Sequence, residues 1–534
     1  MAFEFTTHRG VVVARNGVVA ASQPLAVSAG LRVLQEGGTC VDAAIAVSSV
    51  LCVTEPYASQ LGGDAFVIYY DAATRNTTAL NGSGAAPAAA ALDHFAGGIP
   101  IRGLEAASVP GLVDAWFRLH ERHGSIPVAE LLAPAIAYAR GGFPAGYRYC
   151  RAFDEAPRTE SAEWFRPMAR ELTGLDHLPS PGESIRQPDL AWTLEQIALA
   201  GAEAFYEGVV AERIDRAMSR QGGLMSAADL ALHATEIRDP LRSDYRGYTV
   251  HAQPPVSQGH ILLQMLNIVE GMDVSSGGPL GPDAVHAMVE AKKLAFADRA
   301  AYLGDPAFVD VPMETLLSKG YAASRRAHID PHRAMAVAQA GDIPHDTTYF
   351  CVADRQGNAI SFIQSVFHRF GCGVVAEGTG ILLNNRMTGF SLDPACPNVL
   401  EPGKRTAHTL NAYVMTQGDR LAWVGGTPGG DVQVQSNLQV IRHLIDFGAN
   451  PQQAIELPRW QHAWTDGDST GGLLEIEDRV PRETVEELRR RGHQVRTIAP
   501  WAHGSTYQLI QIDPDSGAYM AGSDPRADGH AAGF

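Results

Sequence analysis

Charge is scarce in this chain, and basic charge scarcest: 42 Lys and Arg stand against 59 Asp and Glu, for a net charge of −17, with charged residues at 19%. No long Lys/Arg run occurs, which argues against nucleic acid or an anionic membrane surface as partner, since both need a concentrated basic patch. A local basic pocket can still sit in an acidic protein. Cysteine is sparse too. Cys40, Cys52, Cys150, Cys351, Cys372 and Cys396 form no C-x-x-C pair and several sit in apolar runs, so a zinc site is disfavoured and reduced core thiols are expected. The longest nearly apolar stretch, Ala43 to Thr54, is too short to span a bilayer. The opening MAFEFTTHRG lacks the basic and then apolar pattern of a secretory signal, so a soluble cytoplasmic protein is expected. Neither G-x-x-x-x-G-K-[ST] nor G-x-G-x-x-G occurs in the glycine-rich part, which removes a nucleotide reading; no cofactor and no metal are expected.

What is present is enough apolar material, 45% of 534 residues, for two to four domains or one large α/β unit with a divided sheet. Pro24 to Glu36 reads as a helix stopped by Gly37-Gly38, and Val41 to Val53 as a second, buried one. Phe66 to Tyr70 is a strand candidate, followed by a turn over Asp71 to Asn76. Pro110 and Gly124 bracket a third helix. From Ser125 to His345 the pattern is mainly helical, with a strand near Tyr248 to Ala252 and a loose stretch around Met335 to His345. Later, Leu421 to Val424 reads as a strand, Val432 to Phe447 as a helix ended by Gly448, and Tyr507 to Ile512 with Ala518 to Ala521 as a strand pair. Strands at both ends with helices between suit layered sheets covered by helices.

Thr347 to Gln364 alternates apolar and polar residues about the turn Asp354 to Asn358, a hairpin pattern. If the turn centres on Gln356, partners pair 352 with 360, 350 with 362, 348 with 364, and Thr347 with Ser365. Directly opposed residues hold their Cβ atoms about 4.5–5.5 Å apart, so two hydroxyls face each other at the open end. Alone, a Thr–Ser pair is ordinary sheet packing. Thr427-Pro428-Gly429-Gly430 follows a strand and opens the Val432 helix; small residues there leave backbone N–H groups free for an oxyanion. A tight strand-to-helix turn would read the same way.

The stretches DTTYFCVADRQGNAISFIQS (346–365), GTGILLNNRM (378–387), PGKR (402–405), TPGGDVQ (427–433), LPRW (457–460) and GSDPRADG (522–529) together resemble the small subunit of γ-glutamyltransferases, or glutathione hydrolases. GGTCVDAAIAV, EPYASQLGGDAFVIYYD and ASVPGLVDAWFRLHERHG resemble the large subunit, so the resemblance covers nearly the whole chain in order. It implies an α+β fold, the four-layer αββα sandwich of N-terminal-nucleophile hydrolases. It also implies a precursor that cuts itself between Asp346 and Thr347 into a large subunit (1–346) and a small one (347–534) that together form one domain; it leaves open a dimer of that heterodimer. Thr347 becomes the nucleophile, Ser365 falls where the family carries an assisting Thr, and Gly429 and Gly430 fall on the oxyanion pair.

The residues that grip a γ-glutamyl group depart from the family. Ser83 stands at the position of the Arg for the substrate α-carboxylate, and Phe367 at that of an Asn. Arg386 replaces a Gln, Gly389 replaces the acid that pairs with the substrate ammonium, and His408-Thr409 replace a pair of serines. The segment Pro397 to Lys404 is short, so the lid loop of some members is missing. With the acid at Gly389 lost, a buried α-ammonium would be costly, whereas Arg386, with His408, can grip a carboxylate. The expected substrate is therefore a small amide bearing an acid group without an α-amino group, oxamate- or glutaryl-like, as in the shorter oxamate-amidohydrolase-type branch. Behind this stand a true γ-glutamyltransferase with a rearranged pocket and, third, a non-catalytic binding protein on the same fold.

Overall fold

The computed structural model describes residues 6–159, 162–273, 277–336, 347–463 and 471–534. Asp346 and most of the Met335–His345 stretch fall outside these residues. Two seven-stranded sheets dominate. Their strands in chain order are β1 (Val12–Ala14), β2 (Gly17–Ala21), β3 (Asp64–Asp71), β4 (Asn76–Gly82), β5 (Glu236–Arg238), β6 (Leu241–Tyr245), β7 (Tyr248–Ala252), β8 (Thr348–Asp354), β9 (Ala359–Ser365), β10 (Tyr413–Gln417), β11 (Arg420–Gly426), β12 (Gln508–Ile512), β13 (Tyr519–Ser523) and β14 (His530–Gly533). The first sheet runs β14-β2-β8-β9-β3-β4-β5 and the second β1-β13-β12-β11-β10-β7-β6, with antiparallel neighbours throughout.

Three apolar layers follow from the two-residue period of the strands. Even positions of the hairpin, Phe350, Val352, Ile360 and Phe362, pack with α1 (Pro24–Gln35) and α2 (Cys40–Thr54) in the core outside the first sheet. Odd positions, Tyr349, Cys351, Ala353 and Ile363, meet Val414, Val424, Ile510 and Ala521 between the sheets. Outside the second sheet, α3 (Gly259–Glu270), α4 (Pro282–Tyr302) and α5 (Val432–Ile445) form the last layer. This is the expected αββα sandwich. α2 is buried along its whole length, as its all-round apolar sequence requires, and a capping box of Thr39 and Asp42 starts it. Gly448 closes α5 in the left-handed region, at φ +66°.

The expected helices and strands lie where the sequence puts them, within a residue or two. The region from Ser125 onward is less purely helical than its pattern: β5 and β6 precede the expected β7, because short, half-buried strands show no clean alternation. A small third sheet, Trp460–Ala463, Leu473–Glu477 and Gln494–Ile498, was also illegible. All six cysteines are unpaired; four are buried, and Cys150 and Cys396 are partly exposed. Among the described residues no helix is long and apolar enough to cross a membrane.

Candidate active site

The hairpin register is the one its turn dictates: Thr348 pairs with Gln364, Phe350 with Phe362 and Val352 with Ile360. One step further out, the Thr347 hydroxyl donates to Ser365 Oγ at 3.1 Å, both residues being buried. The row continues across the sheet. Ser365 pairs with Asp64 of β3, and the Ala65–Gly82 pairing sets Ser83, just past β4, beside Asp64. Thr347, Ser365, Asp64 and Ser83 thus line up across four adjacent strands, on the face turned to the second sheet. Ser365 Oγ also accepts from the Phe367 N–H at 2.8 Å. Phe367 is held at φ +80°, a conformation a bulky residue adopts only when its surroundings impose it.

Arg386 comes to this row from a 3-10 turn, Arg386–Gly389. Asn384 and Asn385 aim it: Asn384 Oδ1 accepts from the Arg386 N–H at 2.9 Å while its Nδ2 donates to Gly62 O, and Asn385 Oδ1 accepts from the His368 N–H. The guanidinium is fully buried, stacked 4.1 Å over the Phe367 ring, and its Nε donates to Asp64 Oδ2 at 3.0 Å. Its Nη1 and Nη2 have no hydrogen-bond partner among the described residues. Asp64 Oδ1 accepts from the Gly84 N–H. Burial pushes the Asp64 carboxyl above its ordinary range, against the pull of Arg386 and the Gly84 N–H. His408 lies with Nε2 3.9 Å from Asp64 Oδ2 and its ring tilted on Phe66. Burial, reinforced by Arg386 and Arg405, drives its pKa far below the ordinary histidine value, so it is a neutral imidazole.

This corrects the charge bookkeeping of the sequence. Gly389 carries no acid, but a buried carboxylate stands nearby on another strand, Asp64, 3.0 Å from Arg386 Nε. An acid at 389 has no room as the chain stands, since a Cβ there would lie 2.9 Å from Thr406 Oγ1. The strand begins at Asp64, two residues before the Phe66 that the sequence pattern gives, and the same alternation puts Asp64 in phase with Phe66, Ile68 and Tyr70 on the inter-sheet face. Ser83 turns its hydroxyl to Asn81 Oδ1 at 2.6 Å.

The glycine turn leaves β11 for α5. Gly429 and Gly430 both take positive φ, +125° and +56°, and their N–H groups have no acceptor among the described residues. Gly426, the last residue of β11, is pressed on the Tyr349 ring, two residues from Thr347. Gln258 donates to both Thr409 O (2.8 Å) and Gly430 O (3.2 Å), and Arg299 holds Gln258 Oε1 and Asp431 together. Thr409 is therefore joined to the glycine turn through its carbonyl. Gln258 and Arg299, which brace this turn, lie outside the stretches quoted above and carried no sequence signal.

A sequence model described as gamma-glutamyltranspeptidase matches residues 26–534. The chain is 38% identical over 529 residues to the glutathione hydrolase-like YwrD proenzyme of Bacillus subtilis (strain 168), covering 98% of this chain and 99% of that protein. It is 34% identical over 530 residues to the oxamate amidohydrolase proenzyme of Klebsiella pneumoniae, with coverage of 98% and 99%. Among solved structures, the cephalosporin acylase of Bacillus halodurans superposes with a TM-score of 0.92 at 37% identity, over 100% of this chain and 98% of that one. A full-length family match, near-complete coverage of proenzyme relatives and a shared N-terminal-nucleophile hydrolase fold lead to one conclusion: the chain is an enzyme of the gamma-glutamyltranspeptidase family.

Proposed function

We propose that the chain is a self-processing amidohydrolase whose nucleophile is Thr347 and whose substrate is a small amide carrying a carboxylate gripped by Arg386. The observation that carries the substrate reading is the pair of buried, unpartnered Nη atoms of Arg386 on the Thr347 row. Two orphaned charged donors are costly unless an acceptor fills them, and a carboxylate matches their fork. In processing, the Thr347 hydroxyl attacks the Asp346 carbonyl and the resulting ester is hydrolysed, giving chains 1–346 and 347–534. The freed α-amine, with a pKa near 7.7–8.0, then takes the proton of its own hydroxyl, which Ser365 orients. Oγ1 adds to the substrate carbonyl, the N–H groups of Gly429 and Gly430 stabilise the oxyanion (about 2.7–4 kcal/mol for a preorganised donor), the amine departs, and water hydrolyses the acyl-enzyme.

A second reading, hydrolysis of γ-glutamyl amides, is favoured by one observation: Asp64 sits beside Arg386 and keeps lone pairs that an α-ammonium could use. A denaturing gel of purified protein should show fragments of 346 and 188 residues, the shorter beginning at Thr347, and Thr347→Ala should stay whole and inactive. A different N-terminus would sink the nucleophile assignment. Glutaryl anilide turned over faster than γ-glutamyl anilide supports the first reading. The reverse order, lost in Asp64→Asn, supports the second.

A further inference from the structure

The face of β8 and β9 turned away from Thr347 and Ser365 is apolar until its last pair. Phe350 stacks on Phe362 with ring centroids 4.7 Å apart, and Val352 pairs with Ile360, all in the core against α1 and α2. The outermost pair, Thr348 with Gln364, is polar and equally buried. These two residues adjoin Thr347 and Ser365 in the chain. Buried polar groups cost stability unless they are hydrogen-bonded, and both are answered from Ser22, α2 and the turn after it. Ser22 Oγ donates to Glu55 Oε2 at 2.7 Å and lies 2.7 Å from Thr348 Oγ1. A hydroxyl has a single proton; with that of Ser22 on Glu55, the Thr348 O–H is the donor to Ser22 Oγ. Gln364 Oε1 accepts from the Ser48 hydroxyl, which accepts from Trp116 Nε1 at 2.7 Å, and Gln364 Nε2 donates to Ser59 Oγ at 2.6 Å. Glu55 ends α2, where a negative charge meets the negative end of the helix dipole. The helix gains nothing from a carboxylate there; the chain to Thr348 does.

We propose that the chain of Thr348, Ser22 and Glu55 is a tether that holds Thr347 in place once the protein has cut itself. The proposal rests on the reading of Thr347 as nucleophile and of the bond before it as the one that is cut. Before the cut, Thr347 is held by chain on both sides. Afterwards it is the first residue of a chain, and chain ends fray unless they are tied down. A displacement of about 1 Å at a reacting group can cost 10²-fold in rate. Strand pairing of β8 starts at Thr348, so the placement of the new chain end depends on what fixes Thr348. Successive side chains of a strand point to opposite faces. The tether therefore pins the strand from the side away from the substrate and touches none of the reacting atoms. Thr348, Ser22 and Glu55 are positioning residues. The bonds of Gln364 to Ser48 and Ser59 brace the strand that carries Ser365 in the same way.

The test compares the rate of self-cutting with the turnover of the cut enzyme in Thr348→Val. This variant keeps the shape of the side chain and loses its hydroxyl, while Ser22 still donates to Glu55. Turnover is followed on whichever of glutaryl anilide and γ-glutamyl anilide the wild type cleaves faster. We expect cutting near the wild-type rate, kcat about tenfold lower and KM changed by less than about twofold. Thr348→Ser, which restores the hydroxyl, should recover most of the loss. A general loss of stability would slow cutting and turnover together, and that result would overturn the tether, as would wild-type kcat in Thr348→Val. Should Thr348→Val fail to cut, Ser22→Ala, which keeps Thr348 and breaks the chain at its middle, is read by the same two rates. If neither cuts, the chain serves folding or cutting rather than the cut end, and the tether falls. A wild-type small chain beginning elsewhere than Thr347 would sink the nucleophile reading and the tether with it. A small chain beginning at Thr347, with kcat unmoved in the variants, sinks the tether alone.

Discussion

Thr347 and Ser365 face each other because a hairpin centred on Gln356 has no other register that keeps both its faces consistent. Ser365→Ala removes an acceptor that both the Thr347 hydroxyl and the Phe367 N–H use. Turnover should fall by about 10²-fold and processing should slow, while KM changes little. Wild-type rates would reduce the pair to sheet packing. Arg386→Ala should act differently. It deletes the fork and strands Asp64, so carboxylate-bearing amides should lose about 1.5–3 kcal/mol, the worth of a charge-assisted hydrogen bond, in kcat/KM. A neutral amide of the same length should lose far less. An equal loss on both would make Arg386 a structural ion pair.

Among the elements, the start of β3 is tightly constrained. A Cβ on Gly62 would meet Leu382 O at 2.2 Å, and one on Gly63 would meet Ser365 O at 2.4 Å. Neither glycine is there for a positive φ; both permit a backbone to come close, and the backbone beside Gly63 is that of Ser365. Gly63→Ala must therefore push β9 from β3, displacing Ser365 and Asp64 together at a cost of about 1–3 kcal/mol. A soluble protein that cuts itself slowly and turns over poorly is expected. Normal cutting and turnover would show that the row tolerates displacement.

For the molecule as a whole, the proposed cut falls between strands that end up interleaved. The large fragment would hold β1 to β7 and the small one β8 to β14, yet β2 lies between β14 and β8, and β9 lies against β3. The two fragments should therefore elute together on gel filtration under native conditions and separate only in denaturant; separate native peaks would contradict the interleaving. The LPRW and GSDPRADG stretches meet in a second buried anchor, where Arg459 Nη2 reaches Asp524 Oδ2 at 2.7 Å and Arg526 binds both Asp524 and Glu477. Burial alone would raise the Asp524 carboxyl, but Arg459 and Arg526 outweigh it and hold it at about 2. Against an unfolded value near 3.9, this stabilisation of about 2–3 kcal/mol is complete above pH ~4 and is lost as pH falls toward 2. Asp524→Asn should be less stable than wild type in urea at pH 7, with the gap narrowing in acid. A gap independent of pH would place the loss in packing.

The hairpin and its register, the buried α2, the glycine turn into α5 and the family signature were legible in the residues alone, because each rests on contacts or periodicity within a few tens of residues. Asp64 beside Arg386 was not. They are 322 positions apart, and only the pairing of β9 with β3 and the aim given by Asn384 and Asn385 bring them together. The same holds for the brace of Gln258, Arg299 and Asp431. The sequence by itself determined that Thr347 and Ser365 stand opposed at the end of a hairpin. The charge of the pocket around them is a sum over distant segments, and only the tertiary structure sets which of these meet.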